Sequence, residues 1–189
     1  MRGYRAALVF CLAVLPSAAL AQVDYRVVAT NKTSTAEKEM NEAADAGFRF
    51  GSVMGGDTAF GGSEVVTVMY RENKADAGRF AYKLLATTKT STMQKEMQEA
   101  GDAGFEFRGQ TVFKSMFGGK EAVVILERDR EVKDRPSFEY RLLATSKTST
   151  LQKELAEAGA AGYQFVGLTV ADTAIGGSEV VSILRKVRR

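Results

Sequence analysis

The phrase Ala-Thr-x-Lys-Thr-Ser-Thr occurs three times in this chain, at Ala29 to Thr35, Ala86 to Thr92 and Ala144 to Thr150. Recurrence at a fixed period constrains a fold more than any local propensity, because each copy must be the same structural unit. The copies extend well beyond the phrase. They run Tyr25 to Tyr70, Tyr82 to Glu127 and Tyr140 to Arg185, and they align without a gap. The second and third agree at 27 of 46 positions, which establishes duplication rather than chance likeness. The charged connectors Arg71 to Ala81 and Arg128 to Glu139 read as surface linkers, the second carrying Pro136.

Each copy opens on a strand with period-two alternation, such as Tyr82, Leu84 and Ala86 on one face. The repeated phrase then starts a helix. Ser34 stands three residues before Glu37, Ser91 before Gln94 and Ser149 before Gln152, the spacing of a capping box. Met93, Met97, Ala100 and Gly104 form an apolar stripe, as do Leu151, Leu155, Ala158 and Gly162. Gly47, Gly104 and Gly162 are expected to close the helices in the left-handed conformation. A second strand follows at Phe48-Arg49-Phe50 and its counterparts. After a variable segment, the Gly-Gly pairs at 61–62, 118–119 and 176–177 are expected to turn into a third strand.

That third strand is apolar on both faces. Val66, Val123 and Val181 recur on one, and Met69, Leu126 and Leu184 on the other. One helix covers one face of a three-stranded sheet, and a unit of about 46 residues has a marginal core of its own. The second face therefore needs cover from a neighbouring copy or another chain. The expected fold is α+β: three tandem β-α-β-β modules packed against each other, as one pseudo-threefold body or as an open row. Residues 22–72, 73–129 and 130–189 each hold one module.

The stretch Tyr82 to Arg128 runs from Tyr-Lys-Leu-Leu through a helix ending Glu-Ala-Gly-Asp-Ala-Gly to Phe-Glu-Phe and a closing Val-Val-Ile-Leu-Glu-Arg. It resembles the small bacterial modules grouped as domain of unknown function 4177. Those read Tyr-x-Val, a helix, Gly-x-x-Gly-Trp-Glu, a Gly-rich turn and a final apolar strand ending in Lys or Arg. Phe48, Phe105 and Tyr163 stand where that tryptophan is usual. The resemblance spans each repeat and implies a β-α-β-β module, with no activity attached to it.

Residues 1–21 lie outside the repeats. Arg2 and Arg5 precede the apolar run Ala6 to Leu15, and Ala19-Leu20-Ala21 offers small residues for cleavage. This is the layout of a signal peptide, so the chain is expected in the bacterial periplasm or outside the cell. A membrane anchor is not expected, since Pro16 interrupts a run already too short to span a bilayer. A lipoprotein would need Cys11 behind the bulky Phe10. Cleavage after Ala21 leaves 24 basic against 23 acidic residues, a balance that does not favour a general nucleic-acid binder. The basic run Arg185 to Arg189 reads as a solvated tail end. The remaining chain has no cysteine, histidine or tryptophan. Triads built on His and zinc sites built on Cys and His are therefore excluded, and no cofactor is expected.

The candidate site is the strand-to-helix junction in its three copies: Lys32, Thr33 and Ser34; Lys89, Thr90 and Ser91; Lys147, Thr148 and Ser149. Unpaired N–H groups and the helix dipole favour an anion at such a place. Three linked junctions suit a repeating anionic polymer of the cell envelope, or a protein partner. The same residues also serve as plain caps, with lysine solvated or paired to Glu64, Glu121 or Glu179. Two further readings stand beside this binding protein. A glycan hydrolase would use a pair among Glu39, Glu96, Glu154, Glu64, Glu121 and Glu179 across one bond. An assembly module would use the doubly apolar sheets, with self-association left open. The segment Met54 to Gly62 lacks the Lys-Ser/Thr of a phosphate-binding loop and reads as a hairpin connection. Phe60, Phe117 and Ile175 near its end read as residues tucked under the loop, with exposed contact residues as the alternative.

Overall fold

The structure, a computed structural model, describes residues 22–58, 62–72, 76–114, 119–172 and 178–188. The first module holds β1 (Asp24–Thr30), α1 (Thr33–Asp45), β2 (Arg49–Thr58) and β3 (Gly62–Arg71). The second holds β4 (Phe80–Thr87), α2 (Thr90–Asp102), β5 (Glu106–Lys114) and β6 (Lys120–Asp129). The third holds β7 (Ser137–Thr145), α3 (Thr148–Ala160), β8 (Gln164–Asp172) and β9 (Ser178–Arg188). Each module is one antiparallel sheet, ordered β1-β3-β2, β4-β6-β5 and β7-β9-β8, so the doubly apolar last strand lies in the middle. The residue after Phe50, Phe107 or Phe165 is skipped in the pairing, and this bulge recurs in all three sheets.

The helices end as the glycines require. Gly47, Gly104 and Gly162 take φ of 88°, 80° and 86°. The Phe48 N–H reaches the Ala43 carbonyl at 3.0 Å and the Gly47 N–H reaches Ala44 at 2.9 Å, the paired bonds of a Schellman closure. A cation at the end of each sheet completes the site. Arg71, Arg128 and Lys186 donate to the carbonyls of Ala46, Ala103 and Ala161, where the helix dipole is negative. Each also stacks over the aromatic residue that follows the helix: Phe48, Phe105 or Tyr163.

The helix starts differ from the expected capping box. Lys32, Lys89 and Lys147 are the N-cap residues, and none of the three makes a side-chain cap bond. Ser34, Ser91 and Ser149 lie inside the first turn. The reason is one step upstream: Thr30, Thr87 and Thr145 accept the N–H of Lys32, Lys89 and Lys147 at 3.1–3.2 Å. That local turn starts the helix early, and it frees Glu37 and Gln94 for another partner.

Each sheet buries one face on its own helix, and two of the three bury the other face on the preceding module. Met40 of α1 and Met69 of β3 share a core with Tyr82, Leu84, Val123 and Ile125 of the second module. Met93 and Met97 of α2 likewise share a core with Phe138, Tyr140 and Ile183 of the third. Met40, Met69, Met93 and Met97 are fully enclosed. In helix α3, Ala158 is the one buried residue. The modules thus form a row in which α1 and α2 each sit between two sheets.

Two further expectations change. Met54 to Thr58 is not a connection but the second half of β2, and residues 59–61 lie outside the described residues. Gly55 is there for closeness: a Cβ on it would lie 2.7 Å from the Val112 carbonyl oxygen of β5. Phe60, Phe117, Ile175 and the glycines at 61, 118 and 176–177 also lie outside the described residues. The basic C-terminal run is not a tail. Arg185 and Lys186 belong to β9, and Arg188 at its end pairs with Asp102 of α2 at 2.9 Å.

Candidate functional site

The three junctions fall at the same point of each module. Lys32, Lys89 and Lys147 are exposed in extended backbone immediately before the helix. Ser34, Ser91 and Ser149 are exposed in the first turn; Thr33 and Thr90 are half-buried and Thr148 is exposed. Bonding back to the Lys32 carbonyl begins at Thr35 and Ala36, which leaves the N–H groups of Thr33 and Ser34 pointing outward. No acidic residue occupies the first turn of any helix. Among the described residues, none of the three ammonium groups has an ion-pair or hydrogen-bond partner. Glu64 instead accepts a hydrogen bond from Thr58.

The most developed polar chemistry lies in the two seams between modules. On the helix side, Asn41 bonds the backbone of Tyr82 twice, donating to its carbonyl at 3.0 Å and accepting its N–H at 3.0 Å. Glu37 accepts the Leu84 N–H at 2.8 Å. At the second seam Gln94 binds Tyr140 O and Leu142 N at 2.8 Å each, while Gln98 accepts the Tyr140 N–H. Strands β4 and β7 are edge strands of their sheets, and these side chains satisfy the open edge that would otherwise recruit another strand.

The first tyrosine of each following module completes the seam. Tyr82 Oη accepts the Phe50 N–H at the β2 bulge at 2.8 Å and donates to Glu127 at 2.7 Å. Tyr140 Oη accepts the Phe107 N–H at 2.7 Å and donates to the Phe105 carbonyl at 3.0 Å. Burial raises both phenols above the ordinary tyrosine range, and the Glu127 charge pushes Tyr82 further. Glu127, only 3 % exposed, also accepts from Arg49 at 3.1 Å and Arg108 at 2.8 Å. Across the second seam the same columns carry Glu106 and Arg185, again paired but with the charges exchanged. A cleft of about 220 Å³ opens beside this network, lined by Arg49, Arg79, Glu106, Arg108, Glu127 and Asp129 among others.

These contacts decide what the carboxylates can do. Both oxygens of Glu127 are engaged, and Glu106 is held by Arg108 and Arg185. A general acid needs an oxygen free to present a proton to a leaving group. On the helices, Lys38–Glu42, Lys95–Glu99 and Lys153–Glu157 repeat as exposed i,i+4 pairs, the signature of a solvated face. Glu39, Glu96 and Glu154 lie half-buried beside them. Among the described residues, no group of three or more acidic, His or Cys side chains is placed to hold a metal, and no helix is long and apolar enough to cross a membrane.

Set against family models, curated proteins and solved structures, the chain matches none. The seam residues were open to discovery in the sequence through one column. Position 41 and its equivalents read Asn41, Gln98 and Ala156, so the amide is present in the two helices that bond another module's edge strand and absent from the third.

Proposed function

We propose that this is an exported, non-catalytic binding protein that presents three similar cationic junctions to an anionic polymer of the cell envelope. The observation that carries this reading is the threefold, exposed Lys-Thr-Ser at a helix start, with ammonium groups that have no partner among the described residues. Because one module-to-module step is used twice, the junctions follow each other along the row. An exposed charge at a helix terminus contributes about 0.3–1 kcal/mol. One junction is therefore too weak to act alone, while linked sites gain about 10²–10⁴ in avidity. The other charged clusters compete poorly for this role, since Glu127, Glu106 and their arginines already neutralise each other. The signal-peptide layout supports export, and the order β-α-β-β supports kinship with the domain of unknown function 4177 modules.

Co-sedimentation of the purified protein with isolated cell wall tests the reading, beside a Lys32→Ala/Lys89→Ala/Lys147→Ala variant of equal thermal stability. The wild type is expected to be retained at low salt and released at high salt, with retention at least about tenfold weaker in the variant. Equal retention of both proteins, or retention of neither, overturns it. Salt-insensitive retention of a single envelope protein by both would assign the chain a protein partner instead.

A further inference from the structure

The row has two unlike ends, and each is half of a seam. At the leading end, the first sheet shows the face that the other two bury. Tyr25 stands in the column of Tyr82 and Tyr140, Val27 in that of Leu84 and Leu142, and Val68 in that of Ile125 and Ile183. Tyr82, Tyr140, Ile125 and Ile183 are at most 4 % exposed, whereas Tyr25 is 70 %, Val27 62 % and nearby Met54 53 % exposed.

At the trailing end the helix side of the seam continues without an occupant. Phe165, in the column of Phe50 and Phe107, is 54 % exposed, and Leu168 is 48 % exposed. Gln152, in the column of Glu37 and Gln94, is exposed on α3. Gly159 matches Gly101, where an added Cβ would lie 2.3 Å from the Phe138 carbonyl oxygen of the next module. At Gly159 an added Cβ would meet nothing within 4 Å. Glycine weakens a helix, and among the described residues none comes close enough to Gly159 to call for one there.

A finished repeat array ends in polar faces, and these two ends are apolar. We infer that the trailing end of one molecule seats on the leading end of another, so that the chain associates head to tail through a third use of its own internal seam. The occupant of each end is a second copy because the two faces are the complementary halves of one interface, already made twice within the chain. Three differences make this contact weaker than the internal ones. Ser52 replaces Gly109 and Gly167, whose missing Cβ atoms admit the rings of Phe50 and Phe107. Ala156 replaces the amides of Asn41 and Gln98, and Gln164 would face Tyr70 where the internal seams pair charges. The association is therefore reversible, and being heterologous it builds chains or rings rather than stopping at a dimer.

Sedimentation velocity from about 1 to about 200 μM tests this on the purified protein, its N-terminus established by mass spectrometry. The wild-type weight-average mass is expected to rise with concentration. Val27→Lys and Leu168→Lys, both on exposed positions and each checked for unchanged thermal stability, are each expected to remain monomeric. Mixed together they are expected to form a one-to-one pair and nothing larger, since each keeps the end the other has lost. Ser52→Gly with Ala156→Gln restores the internal seam and is expected to tighten association at least about tenfold. A wild type that stays monomeric throughout, variants that associate like the wild type, or a mixture that forms no pair overturns the proposal. The proposal stands apart from the junction reading, which the lysine variant tests separately.

Discussion

The tyrosine that opens each module offers a graded test of the seams. Tyr82→Phe keeps the ring in its core and removes only the hydroxyl. Two bonds go with it: the Phe50 N–H loses its acceptor, and Glu127 loses a donor while keeping Arg49 and Arg108. An unsatisfied buried donor costs about 1–3 kcal/mol, and a bond to a charged acceptor lies at the upper end of the hydrogen-bond scale. The expected loss is about 2–3 kcal/mol. Tyr140→Phe strands the Phe107 N–H in the same way, but its acceptor is the neutral Phe105 carbonyl, so about 1–2 kcal/mol is expected. Tyr25→Phe, 70 % exposed, is expected to stay within about 0.5 kcal/mol. Urea denaturation followed by far-ultraviolet circular dichroism measures all three. In a chain of this size about 1 kcal/mol moves the thermal midpoint by about 2–4 °C. Equal costs at Tyr25 and Tyr82, or a neutral Tyr82→Phe, would refute the claim that the seam hydroxyls hold the row together.

Glycine substitutions should act with opposite signs at equivalent positions. Gly101→Ala drives a Cβ into the backbone of β7 and is expected to destabilise by about 1–2 kcal/mol, an overpacking cost that exceeds the gain in helix propensity. Gly159→Ala meets open space and is expected to stabilise the monomer by up to about 1 kcal/mol, read from the same urea curves. Alkaline pH should unfold the protein through the two buried phenols. Their folded pKa values lie above the unfolded value of about 10, so the native state keeps protons that the unfolded state releases. Their contribution is whole below about pH 10 and falls as pH rises beyond it. A stability-against-pH series is expected to lose this slope in a Tyr82→Phe/Tyr140→Phe variant.

Much of this architecture was legible in the sequence because three aligned copies report the same constraint. The glycine stops at Gly47, Gly104 and Gly162, the two apolar faces of each third strand and the need for a covering neighbour all follow from columns rather than from single residues. The helix starts did not follow, for a physical reason. Glu or Gln three residues after Ser satisfies a backbone group equally well at its own helix end or at a neighbour's strand edge, and spacing along one chain cannot separate the two. The threonine that accepts the lysine N–H settled the choice. Gly55 misled in a similar way: glycine signals a turn or a close approach, and here β5 supplies the approach. Lys32, Lys89 and Lys147 were found where the sequence placed them. The seam network was not, because Arg49 with Glu127 and Glu106 with Arg185 are far apart in sequence and change sign between copies.

That exchange of sign bears on how a threefold duplication keeps its order. If all modules carried the same seam residues, any module could pack after any other, and misordered packing would compete with the native row. The columns prevent this. A first module presents Arg49 and needs the Glu127 of the second; the second presents Glu106 and needs the Arg185 of the third. Packing the third module directly onto the first would set Arg49 against Arg185, two like charges in a half-buried seam. Arg49 is 40 % exposed, so solvent screens part of this repulsion, yet it still favours one order over another where the apolar columns fit equally well. The outermost members of these columns, Tyr70 and Gln164, carry no charge. The ends of the row are therefore the one place where charge does not dictate the neighbour, and there the apolar columns and the unused Tyr25 and Gln152 decide it.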